Sequence, residues 1–213
     1  MNYNFPFSTC ESNSGNIIAQ PYSFIFNLLT SFILLGFSLS TKSLHVKISI
    51  FSYFLFELFH SFSHAKHIDK NIQQNIIHCI FYILAFSSLY SILYLSNTNL
   101  SQFAKICITI CVLFDSISCY SKNTIAMFTS ATFLLTIIFI TQYDKLPNEF
   151  KNTLKYKLIP LLIILWFIIF NESKNCKKML AWKDFPYHVT NEIIGGILFI
   201  LLAWNFYKWD ATF

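Results

Sequence analysis

The chain contains no arginine; all fifteen of its basic residues are lysine. Charged residues make up only 12% of the sequence, against about 25% in soluble domains. So thin a supply of charge excludes an ordinary water-facing surface. Glycine is also scarce, with four in 213 residues, so GxxxG-type packing does not organise the fold. The six cysteines include no CxxC pair, which excludes a zinc ribbon and a dense disulfide scaffold. There is no internal repeat and no low-complexity linker. The polar N-terminus MNYNFPFSTCESN has no basic region ahead of an apolar one, so no cleavable signal peptide is expected. The formal charge of +5 does not point to nucleic acid, because the lysines are scattered through short loops, as headgroup-facing lysines are.

What the chain has is apolar surface. Hydrophobic residues reach 55%, with 25 phenylalanines. Seven apolar runs fall near residues 22–40, 46–64, 76–95, 102–120, 124–141, 157–171 and 189–208, close to the 18–20 residues of a membrane span. The expectation is an all-α, multi-pass integral membrane protein with seven transmembrane helices in one domain over 1–213. The polar segment 1–21 is expected to pack on the side of the functional site. Linkers are short and polar, and IDKNIQQN reads as a loop. Gly195 and Gly196 in the last span allow close helix approach. The tryptophans read as interface and core aromatics.

Lysine counts on the two sets of loops are similar, so orientation stays open. Parity is more useful. With the N-terminus on side A, the end of the second span carries His64 and His67 to side A. His78 begins the third span there, Asp115 nears the end of the fourth, and Glu172 ends the sixth. His188 and Glu192 open the seventh. Five of the six histidines fall on one side, and only His45 lies on side B. One polar site opening to one face is expected.

Glu57, His60, His64 and His67 follow a 3-4-3 spacing, which puts them on one face of one helix. A carboxylate and three imidazoles in a bilayer need partners, water or a metal. His188 and Glu192 are four apart and can bind one ion together; a third ligand from another helix leaves a fourth position for water, as catalytic zinc requires. Ser63 stands one turn before His67 and is a candidate oxyanion donor; alternatively its hydroxyl bonds back to its own helix. Asp115 is a candidate acceptor for a ligand histidine, or a hydrated interfacial carboxylate.

Four segments resemble the alkaline ceramidase family, within the seven-helix membrane hydrolases that include adiponectin-receptor-like proteins. They are CESN (10–13) followed by Pro21-Tyr22 and Asn27, Ser63-His-Ala-Lys-His67, Phe170-Asn-Glu-Ser-Lys-Asn-Cys176, and His188-x3-Glu192 with Gly195. The likeness covers most of the chain. There are departures: His78 stands where the family has Asp, Glu192 where it has His, and a Trp and a Glu of the calcium segment are missing. Glu57, His60 and His64 have no counterpart.

The resemblance implies a zinc-dependent hydrolase of a lipid amide, with ceramide the family substrate. The ligands would be His67, His188 and Glu192, with His64 or His60 as substitutes for His67. His78 or Glu57 would be the general base, and Ser63 an oxyanion donor. Glu11 and Asn13 would belong to a calcium-binding segment. A membrane lipid is the expected partner. The alternative is a non-enzymatic receptor or a metal or proton transporter that uses the histidine ladder. A continuous polar path to side B would favour transport. Haem held between facing histidines is a third reading.

Overall fold

The computed structural model describes residues 18, 20–65, 70–97, 99, 101–120, 124–179 and 187–212. Among them there is no strand. The helices are α1 (Pro21–Ser40), α2 (Leu44–Ala65), α3 (Lys70–Ser96), α4 (Gln102–Tyr120), α5 (Thr124–Thr141), α6 (Asn148–Thr153), α7 (Ile159–Met179) and α8 (Tyr187–Asp210). A π-helical turn, Leu154–Leu158, joins α6 to α7 without a break, so the described residues form seven helical rods.

Three of these helical segments are long and apolar enough to cross a membrane: Pro21–Ser40, Asn148–Glu172 and His188–Asp210. Shorter apolar stretches occupy Ile83–Ser96, Lys105–Phe114 and Thr132–Thr141. α2 has the length, but Lys47, Glu57, His60, His64 and four serines lower its hydropathy. The outer surface is nonetheless that of a lipid-facing bundle. α1 buries Ser23, Asn27, Thr30 and Ser31 while exposing Ile25, Leu29, Phe32 and Ile33. A helix in water does the reverse.

Linkers expected to be irregular are helical over part of their length, and α7 likewise runs on to Met179 instead of ending near 171. α3 starts at Lys70, so KNIQQN is its first turns rather than a loop. The sixth rod starts at Asn148 instead of near 157. The reason is a row of apolar residues that polar neighbours obscure: Phe150, Leu154 and Leu158 are all buried. The wide turn has a local cause in Pro160, which has no N–H for a carbonyl one turn earlier and clashes with it. The ladder opens to an i→i+5 bond from the Ile159 N–H to the Leu154 carbonyl.

α2 packs on α1, α3 and α8, and α8 also packs on α1 and α7. α5 packs on α3 and α4. The α1–α2–α8 core is tied at both ends. At one end the Gln20 N–H donates to the His64 carbonyl (3.1 Å) and Ser61 Oγ donates to the Phe24 carbonyl (2.8 Å). At the other, Asp210 Oδ2 accepts the backbone N–H groups of Lys42 and Ser43 at 2.9 and 3.0 Å, capping the start of α2. Between them a Cβ on Gly196 would stand 2.7 Å from Thr30 Oγ1, so glycine sets how closely α1 and α8 approach. At Gly195 a Cβ would meet nothing within 4 Å; the close approach expected of both glycines belongs to one.

Candidate metal centre

Antiparallel connection brings the end of α2, the end of α7 and the start of α8 to one end of the bundle. There His60 and His64, four residues apart on α2, meet His188 and Glu192, four apart on α8. One ligand atom from each lies within 4.8 Å of all the others, and all four residues are buried. His60 Nδ1 is 3.3 Å from Glu192 Oε2. His64 Nε2 is 3.6 Å and His188 Nε2 2.6 Å from Glu192 Oε1. Ligands at about 2.0–2.1 Å from a tetrahedral ion stand roughly 3.3–3.5 Å apart, so small side-chain movements complete the site.

The histidines are oriented from behind. His188 Nδ1–H donates to Glu172 Oε1 at 3.0 Å. A carboxylate only accepts, so this bond puts a proton on Nδ1 and turns Nε2 towards Glu192. Asn191 Nδ2 donates to the other Glu172 oxygen, leaving that carboxylate fully engaged. His64 Nδ1 bonds Gln20 Oε1 in the same way. An imidazole whose outer nitrogen is held by an acceptor is the usual form of a metal-ligating histidine.

Charge points the same way. Glu57, Glu172 and Glu192 are at most 2%, 1% and 4% exposed, and buried carboxylates need a counter-charge. The chain has no arginine, and among the described residues the lysine that lines the adjoining cavity, Lys155, belongs to its other end. A proton on His188 would neutralise one of the three. The His60/His64/His188/Glu192 group could hold a metal ion.

No protein-family model, curated protein or solved structure matches this chain. The chemistry of the site therefore rests on its own residues.

A cavity of about 440 Å³ opens beside the centre. Glu57, His60, His188 and Glu192 form its polar end, and nearly all the remaining wall is apolar. Glu57 Oε2 is buried with no hydrogen-bond partner among the described residues. The cavity lies between α5 and α7, which among the described residues barely touch each other.

The other expected site residues fall as follows. Ser63 is buried on α2, and its hydroxyl donates to the His60 carbonyl at 2.6 Å, the local bond that competes with an oxyanion role. It is not among the cavity-lining residues. His78 lies on α3 and Asp115 on α4; what their side chains meet falls outside the described residues. His67, Cys10, Glu11 and Asn13 also lie outside them. Sequence reasoning gave no role to Gln20, Glu172 or Asn191. Parity put Glu172 on the correct side, and Asn191 sits one turn after His188, but no spacing rule marks Gln20.

Proposed function

We propose that this chain is a zinc-dependent, membrane-embedded hydrolase of a lipid amide, similar to the alkaline ceramidases. The observation that carries the proposal is a His/His/His/Glu cluster, oriented from behind by Gln20 and Glu172, at the polar end of a long apolar cavity. The donor set suits zinc, which accepts imidazole and carboxylate. His64, His188 and Glu192 would hold the ion. His64 and His188 have the outer acceptors, and Glu192 touches both. His60 lines the cavity while His64 does not, which leaves the substrate side to His60 and Glu57.

When bound, zinc supplies Lewis acidity that brings the pKa of water to about 7. Glu57, with a free buried oxygen on the cavity wall, takes the proton of the attacking water and returns it to the leaving amine. His60 donates a hydrogen bond to the carbonyl oxygen as negative charge develops there. The apolar walls hold the acyl chain and exclude bulk water. His78 remains a second candidate base.

The test is metal analysis of the detergent-purified protein with turnover of a ceramide. One zinc per chain, lost with activity in His188→Ala, supports the hydrolase. A metal-free wild type sinks it.

One observation favours a transporter instead. Below Glu57, buried hydroxyls continue along α2 and α3. Tyr53 Oη meets Ser88 Oγ at 2.6 Å, Ser52 Oγ meets Ser87 Oγ at 2.9 Å, and Ser91 Oγ donates to the His45 carbonyl at 2.9 Å. Side B is thus richer in buried polar groups than the apolar runs suggest. Proton or metal flux into sealed proteoliposomes would favour that reading.

A further inference from the structure

Away from the centre, the cavity opens onto the surface of the bundle between α5 and α7. Ile140, Tyr143 and Ile159 line it there and are 69%, 40% and 46% exposed. By parity this opening lies at side B, since α5 ends and the sixth rod begins beside it. The slot puts the apolar wall of the cavity in direct reach of lipid chains.

The opening is also basic. Lys155 lines it, one turn after Lys151 on the same rod. Lys151 Nζ is 5.5 Å from the centroid of the Tyr143 ring and donates to the Asp144 carbonyl at 3.2 Å. Both lysines and Tyr143 therefore border one opening. Among the described residues neither lysine forms an ion pair. Segment 143–157 carries four lysines and two carboxylates, and one of the two, Glu149, is engaged by Lys208 at 3.1 Å. A positive excess thus stands where the apolar run of the sixth rod begins. Lysines at such a level lay their stems on apolar surface and present the ammonium to headgroups.

An apolar slot beginning at unpaired lysines fits an anionic phospholipid. Its phosphate meets Lys151 and Lys155 at the interface. One acyl chain enters the slot, and the other stays in the bilayer against the exposed Ile140, Ile159 and Ile163. A zwitterionic lipid brings its own cation, which competes with the lysines for the phosphate. Such a lipid is not a substrate of the centre. Lys155 is fourteen residues from Ile169, the wall residue one turn before Glu172, which is about 21 Å at 1.5 Å per residue. The ester carbonyls of a phospholipid stay within a few bonds of its phosphate, far from the histidines.

We propose that the open side-B end of the cavity, bordered by Tyr143, Lys151 and Lys155, binds an anionic phospholipid whose acyl chain lies in the cavity. The proposal rests on the membrane-embedded part of the reading above and on none of its hydrolase chemistry.

The test is photocrosslinking in phosphatidylcholine vesicles that contain a tracer of phosphatidylglycerol or phosphatidylcholine, each with a diazirine at one acyl terminus. Phosphatidylglycerol should label cavity residues of α7 and α8, such as Leu165 and Leu198, about fivefold or more above phosphatidylcholine. Lys155→Gln should cut that preference by about fivefold, the worth of one lysine at an anionic surface, and Lys151→Gln together with it should abolish it. Lys155→Arg should keep it. Equal labelling by the two lipids, or a preference that survives the double variant, overturns the site. A fatty acid with the same label that reaches Leu165 and Leu198 as strongly as phosphatidylglycerol also overturns it, in favour of a carboxylate amphiphile. A chain that does not insert into vesicles sinks the membrane reading and this site together, whereas an inserted chain without lipid preference sinks the site alone.

Discussion

Glu172 and His188 come from different helices, sixteen residues apart in sequence, and meet through a 3.0 Å hydrogen bond between buried side chains. Glu172 is not in the ligand cluster. Its effect is to fix which nitrogen of His188 faces inward. Glu172→Gln should therefore keep the fold but weaken zinc binding by about 10–100-fold, the usual cost of losing an outer partner. Zinc titration followed by competition with a chelator would measure this. Unchanged affinity would remove Glu172 from the site.

Glu57 makes the opposite prediction. It lies one turn from His60 and outside the four-residue cluster. Glu57→Gln should retain full metal content and lose about 10²–10⁴-fold in turnover. If metal and activity fall together, Glu57 is a ligand and not a base.

His64 and His60 should separate in the same assay. His64→Ala removes an imidazole held from behind by Gln20, and metal content should drop to background. His60→Ala should leave at least part of the metal bound and reduce turnover. Equal loss of metal in both variants would mean a closed four-ligand site, which is structural rather than catalytic.

The Gly196–Thr30 approach gives a prediction about folding alone. Gly196→Ala should destabilise the protein by about 1 kcal/mol or more through overpacking, while Gly195→Ala, which meets nothing within 4 Å, should be close to neutral. Adding Thr30→Ala should restore much of the loss, since the two positions are in contact. Thermal unfolding in detergent, without any substrate, would measure all three variants.

Asp210→Ala should cost about 1–2 kcal/mol, because it leaves the Lys42 and Ser43 N–H groups without their cap. Asp210 belongs to the end of the bundle opposite the centre, so zinc content should not change. A coupled loss of zinc would show that the position of α2 is set from its far end.

Local pattern carries much of this protein. Apolar runs of span length mark the rods because a helix in lipid satisfies its own backbone groups, and the fourth and fifth expected runs coincide with α4 and α5. The stripe Glu57-His60-His64 is visible because helical periodicity is a property of the chain alone, as is the His188–Glu192 pairing. The wide turn of the sixth rod went unread in the sequence, although the missing N–H of Pro160 is a local fact. The start of that rod was hidden because Phe150 stands among polar residues, and its burial depends on Phe139, Phe206 and Trp209 from elsewhere.

Only tertiary structure decided which residues of the stripe meet α8. Periodicity gives a face but not the rotation of one helix against another; packing of α2 between α1, α3 and α8 sets that rotation and puts His60 and His64 against Glu192. Gln20 and Glu172 became legible only there, because each reaches its histidine from another helix and no spacing along the chain encodes the meeting. The cavity is likewise a gap between α5 and α7, and a gap exists only once both walls are in place.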